Sequence, residues 1–146
     1  PNPTPQFSNL DNLTPTEQSS LVSLVGFGML GQVMLGKSTS VNMNSTADQA
    51  ITIRSSNYII RRIVVTNASI SLTTAAGGVY TSTSKGGTAD VSSAQAYSSL
   101  TNSSKVLDLT IANSDRRTET TLYLSLTTAQ GATATANVYI FGDKLD

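Results

Sequence analysis

The chain has 146 residues, nine basic and nine acidic side chains, a formal net charge of zero, and no cysteine, histidine or tryptophan. That composition excludes a disulfide framework, a histidine-based catalytic triad and a zinc site built on thiolate or imidazole ligands. Basic residues are adjacent only at Arg61-Arg62 and Arg116-Arg117, which argues against nucleic acid as a partner, because such binding needs clustered cations to displace counterions.

The length suits one domain, and a chain of this size buries roughly 68% of its unfolded surface, enough for an ordinary core. Polarity comes from hydroxyls: Ser and Thr each occur 21 times. Thr favours the pleated surface of a strand, and both residues compete with helix hydrogen bonding. The four N-x-S/T sequons, at Asn12, Asn44, Asn67 and Asn102, follow from that abundance.

Residues 1–36 read as an N-terminal arm with one short helix. Residues 1–13 are rich in Pro and Asn, with apolar anchors at Phe7, Leu10 and Leu13. Thr14-Pro15-Thr16-Glu17 supplies an N-cap, a proline at the first helical position and a capping-box glutamate. Leu21, Val22, Leu24 and Val25 follow at helical spacing, and the glycines at 26 and 28 stop the helix. Gly26-x-Gly28-x-x-Gly31 has the spacing of a dinucleotide fingerprint but no strand before it, so no cofactor is expected. The first 13 residues lack the positive charge and apolar run of a secretory leader, and the apolar stretch from 21 to 35 is too short to span a bilayer. A soluble protein without a membrane partner is expected.

From residue 37 to 146 the period becomes two, and a β-sandwich domain is expected. Ile51 and Ile53 alternate with polar residues, as do Leu107, Leu109 and Ile111, and Leu122, Leu124 and Leu126. Asp108, Tyr123 and Ser125 should then face outward. Tyr58 to Thr66 is denser and predicts a central strand covered on both faces over part of its length; Val138 to Phe141 predicts the last strand. Turns are expected at Ser56-Asn57, Gly77-Gly78, Lys85-Gly86-Gly87, Asn102-Ser103, Asn113 to Asp115, Gln130-Gly131 and Gly142-Asp143, and a short helical excursion over 92–100. Ser71 to Tyr80 and Ser125 to Tyr139 echo each other as strand, glycine turn and strand, which fits either equivalent hairpins in the two halves of a sandwich or convergence in a Thr-rich sequence. Eight to ten short strands make the fold class all-β: an antiparallel β-sandwich of jelly-roll form, with a closed barrel as the runner-up.

No constellation points to catalysis, and the chain is not expected to be an enzyme. Lys37, Lys85 and Lys105 sit in apparent turns, where a solvated lysine is the plain reading of a nearby serine. Asp115 with Glu119, or Asp143 with Asp146, is too thin a set for calcium, so no metal is expected. Carboxylates paired across a cleft cannot be read from nine scattered acidic residues. The arginine doublets say more. Alternation in the apolar strand sends Arg61 and Arg62 to opposite faces, so one lies at the sandwich rim or crosses a subunit interface. Arg116 and Arg117 share a turn with Asp115 and Glu119, either solvated or in an intersubunit ion pair.

The Pro/Asn-rich arm, the capped helix and the cysteine-free, hydroxyl-rich strands, with Tyr58 to Asn67 and Ser71 to Tyr80, resemble the head decoration, or cementing, proteins of tailed bacteriophages. The likeness covers residues of about 40 to 142 and is one of texture and layout. It implies a jelly roll, made in the host cytoplasm, that oligomerises as a dimer or trimer on the capsid exterior of the virion, with the major capsid protein and itself as partners. It brings no catalytic residues. Interface candidates from the residues themselves are Phe7, Leu10, Leu13, Arg61, Arg62, Arg116 and Arg117. The alternative function is a tail-fibre or receptor-binding sandwich recognising a host glycan, which the low aromatic content of 5% disfavours.

Overall fold

The computed structural model describes residues 33–146. The expected arm and helix, with Phe7, Leu10 and Leu13, lie outside the described residues. Nine strands follow in chain order: β1 Val33–Asn42, β2 Gln49–Thr52, β3 Tyr58–Thr66, β4 Ala76–Ser82, β5 Gly86–Val91, β6 Val106–Asp108, β7 Arg116–Arg117, β8 Thr121–Thr128 and β9 Thr135–Lys144. Every strand pairing is antiparallel. One sheet has the order β1-β9-β3-β6, with β7 also on β3; the other has the order β2-β8-β4-β5. Because β9 runs along one edge of β3, β6 and β7 share its other edge as two halves of an interrupted strand. The chain changes sheet at every connection except β4–β5 and β6–β7. That wrapping of two layers is a jelly roll, and no helix occurs among the described residues.

The apolar alternation places the core as expected. Leu122, Leu124 and Leu126 of β8 are fully buried against Ile60, Ile63 and Val65 of β3 and Val138 and Ile140 of β9 in one cluster. Each such side chain removed from water contributes about 1.5–3 kcal/mol before entropy is counted. Three successive residues of β3, Ile63, Val64 and Val65, are buried, so this strand is covered on both faces over that stretch. Leu109 is buried, Leu107 and Ile111 pack partly against the core, and Asp108 is exposed.

Several local expectations are corrected. The sandwich begins at Val33, before residue 37, because Val33 and Met34 already pair with Gly142 and Phe141. Gly77-Gly78 and Gly142-Asp143 are not turns but lie inside β4 and β9. A Cβ on Gly78 would strike the Val91 carbonyl, and one on Gly142 the Ile59 carbonyl, so these glycines admit close backbone approach. Residues 92–100 form turns and a bridge from Ala96 to Ala76 rather than a helix. Their backbone is used along β4: Gly77 N donates to Gln95 O and Tyr97 N to Ala75 O, at 2.9 and 3.0 Å.

The two echoing segments are not equivalent hairpins. Ser71 to Ala75 is a loop leading into β4, whereas the connection after β8 crosses to β9 in the other sheet. Ser125, expected outward, is fully buried. The tip of the β4–β5 hairpin reaches back to residues 46–48, with Ser84 N donating to Asp48 Oδ2 (2.6 Å) and Lys85 Nζ to Thr46 O (3.2 Å). Ser125 Oγ donates to the same Thr46 carbonyl at 3.4 Å, so it lies beneath this loop.

Candidate protein-interaction face

The outer face of the five-stranded sheet is built by strict alternation in β9. Ala136, Val138 and Ile140 point into the core, while Asn137, Tyr139, Phe141 and Asp143 are half-buried on the other side. Residues directly opposite in an antiparallel ladder share a face. Tyr139 therefore has Lys37 of β1 and Val64 of β3 beside it, and Phe141 has Met34 and Arg62. Val64 lies opposite Asp108, and Ile59 lies opposite both Asp143 and Arg116. Tyr139, Phe141, Ile59 and Met34 thus form a partly exposed apolar centre about the buried Val64, with charged residues around it.

Arg61 and Arg62 do not go to opposite faces. Ile60 pairs with Gly142 and Arg62 with Phe141, so Arg61 is the inserted residue of a β-bulge. A bulge interrupts alternation and re-aims the side chains beside it. Both arginines consequently stand on the outer face, each with its side chain 48% exposed. Arg61 Nε donates to Asp143 Oδ2 at 2.8 Å. Arg62 donates from Nε to Asp108 Oδ1 at 2.5 Å and from Nη2 to Oδ2 at 3.1 Å, and this contact holds the Asp108 carboxyl below its ordinary pKa. Exposed pairs of this kind, screened by water, add little to stability. Their larger effect is to hold the two guanidinium groups over the sheet.

The second doublet is divided between the faces. Arg116 is exposed, opposite Ile59. Arg117 turns inward, opposite Tyr58, and is buried, which corrects both the solvated and the intersubunit expectation. Its Nε and Nη2 both donate to Asp90 Oδ1, at 2.9 and 2.7 Å. Asp90 is wholly buried in β5, and its backbone carbonyl accepts Ala112 N at 2.8 Å. Tyr58 Oη donates to Glu119 O at 2.6 Å beside this pair. The pair therefore closes the side of the sandwich between β5 and β7, and Arg117 cannot serve as a contact for another molecule.

Met34, Tyr139, Phe141, Asp108 and Asp143 complete the face; from the sequence Asp108 is expected only to face outward and Asp143 only in a turn or a thin calcium set, and none of the five is expected at an interface. The alternation of Tyr139 and Phe141 with Val138 and Ile140 was the available signal; reading Gly142-Asp143 as a turn concealed Asp143. Among the described residues no cluster of three or more acidic side chains could hold a metal ion. The arrangement is suited to binding another surface through an apolar centre and paired charges.

Fold and face together define an all-β jelly roll presenting a mixed apolar and arginine-bearing sheet. Comparisons of the chain with protein-family models, with curated proteins and with solved structures found no match.

Proposed function

We propose that the chain is a structural virion protein that decorates and stabilises a phage capsid by binding the major capsid protein and itself. The observation that carries this reading is the outer face of the five-stranded sheet, where Tyr139 and Phe141 lie among Arg61, Arg62 and Arg116. Aromatic residues and arginines dominate the energetics of protein interfaces. The resemblance of the sequence to head decoration proteins supports the same reading, as does the jelly-roll wrapping. Phe7, Leu10 and Leu13 are assigned the role of reaching a neighbouring chain on the capsid exterior. Binding the assembled shell in preference to its separated parts stabilises the shell by mass action.

Electron microscopy of particles assembled with and without the protein tests the assignment. Added density in many copies over the shell is the expected result. A few copies confined to the tail would favour the receptor-binding alternative instead.

A further inference from the structure

We infer that the outer face of the five-stranded sheet binds an acidic protein surface. This rests on reading the face as a capsid-binding surface and adds what the partner must carry. Four cations, Lys37, Arg61, Arg62 and Arg116, share the face with two carboxylates, Asp108 and Asp143, leaving a formal excess of two positive charges. The carboxylates are engaged by Arg61 and Arg62. Lys37 and Arg116 are exposed and make no ion pair among the described residues.

The placement of these two matters as much as their sign. Lys37 lies on β1 beside Tyr139, and Arg116 lies on β7 beside Ile59. They stand on opposite edges of the sheet with the apolar residues between them. An apolar middle with a charged rim is the anatomy of a protein interface, and rim charges govern encounter rate and salt dependence. A second copy meeting this one through the same face would bring like charge against like. Nucleic acid fits less well, because phosphate binding needs clustered cations, and the two unpaired ones among the described residues of this face, Lys37 and Arg116, stand on opposite edges of the sheet with apolar residues between them.

The test titrates the full chain onto phage particles grown without it, at about 50 and about 500 mM NaCl, where the Debye length falls to a few ångströms. Lys37→Glu, Arg116→Glu and the double variant are run beside it, with Lys37→Gln and Arg116→Gln as neutral controls. Duplex DNA is the second probe. Affinity for particles should fall on the order of tenfold with salt, and at least as far in the double reversal, with smaller losses in the neutral variants and unchanged melting throughout. Particle binding that ignores both salt and charge reversal overturns the inference and leaves the capsid reading standing. A full chain that binds no particles at either salt removes the capsid reading, and the inference falls with it. Binding to DNA as tight as to particles overturns the inference in favour of nucleic acid.

Discussion

Arg117 and Asp90 are joined through a single carboxylate oxygen: both guanidinium nitrogens donate to Oδ1, and the buried Oδ2 has no hydrogen-bond partner among the described residues. Burial pushes the Asp90 carboxyl above its ordinary pKa against the opposing effect of Arg117. A pair in this position costs much desolvation and is returned only part of it. Arg117→Met or Asp90→Leu should therefore destabilise the fold by about 3–5 kcal/mol, because each leaves the other group buried without its charge partner. The double variant Asp90→Leu, Arg117→Met should cost less than either single change. Urea unfolding of the four proteins measures the cycle, and additive losses would show that the two side chains act independently.

The hairpin between β4 and β5 carries local strain. Ser84 and Lys85 occupy the left-handed region, with φ of 58° and 57°, at the centre of a turn closed by Gly86 N donating to Thr83 O at 3.0 Å. This geometry is normally filled by Asn-Gly. Replacing Ser84-Lys85 with Asn-Gly should raise stability by about 1 kcal/mol, relief of strain outweighing the loss of the exposed Lys85 contact to Thr46. A lower melting temperature in that variant would mean the lysine contact matters more than the backbone.

Acid should weaken the fold through Asp146. Its carboxylate accepts from Ser56 N at 2.9 Å, Ser55 Oγ at 2.8 Å and Ser56 Oγ at 3.0 Å, and these bonds draw its pKa from 3.8 down to about 2. A depressed carboxylate contributes stability that is present above its unfolded pKa and lost as pH falls through the folded one. Melting temperature should then decline between about pH 4 and about pH 2, with Asp48 and Asp108, also depressed, adding to the slope. Asp146→Asn should flatten that decline and lower stability at neutral pH. A pH profile identical to that of the unaltered chain would show that the carboxylate contributes nothing.

Deletion of residues 1–13, with Phe7, Leu10 and Leu13, separates folding from assembly. The shortened chain should melt like the full one and lose much of its particle binding or self-association. Full occupancy on particles would pass the whole clamping role to the face that carries Arg61 and Arg62.

Much of the fold was legible because burial in a sandwich writes itself as period two. Leu122, Leu124 and Leu126 could only face one way, and the dense run through Ile63, Val64 and Val65 required cover on both sides. The arginines were legible as exceptions but not in their placement. A bulge at Arg61 is a property of the pairing between β3 and β9, so no count along β3 alone reveals that Arg61 and Arg62 share a face. Arg117 looked like a loop residue because its partner Asp90 lies 27 positions earlier, on the other sheet. The glycines at 78 and 142 looked like turns because the neighbouring carbonyls that exclude a side chain are distant in sequence. Composition and alternation by themselves determined an all-β sandwich and its inward residues, since transfer of apolar side chains from water depends on local pattern. Only the tertiary structure decided which charges meet, which are buried and which remain on an open face, because those outcomes depend on register between strands far apart in the chain.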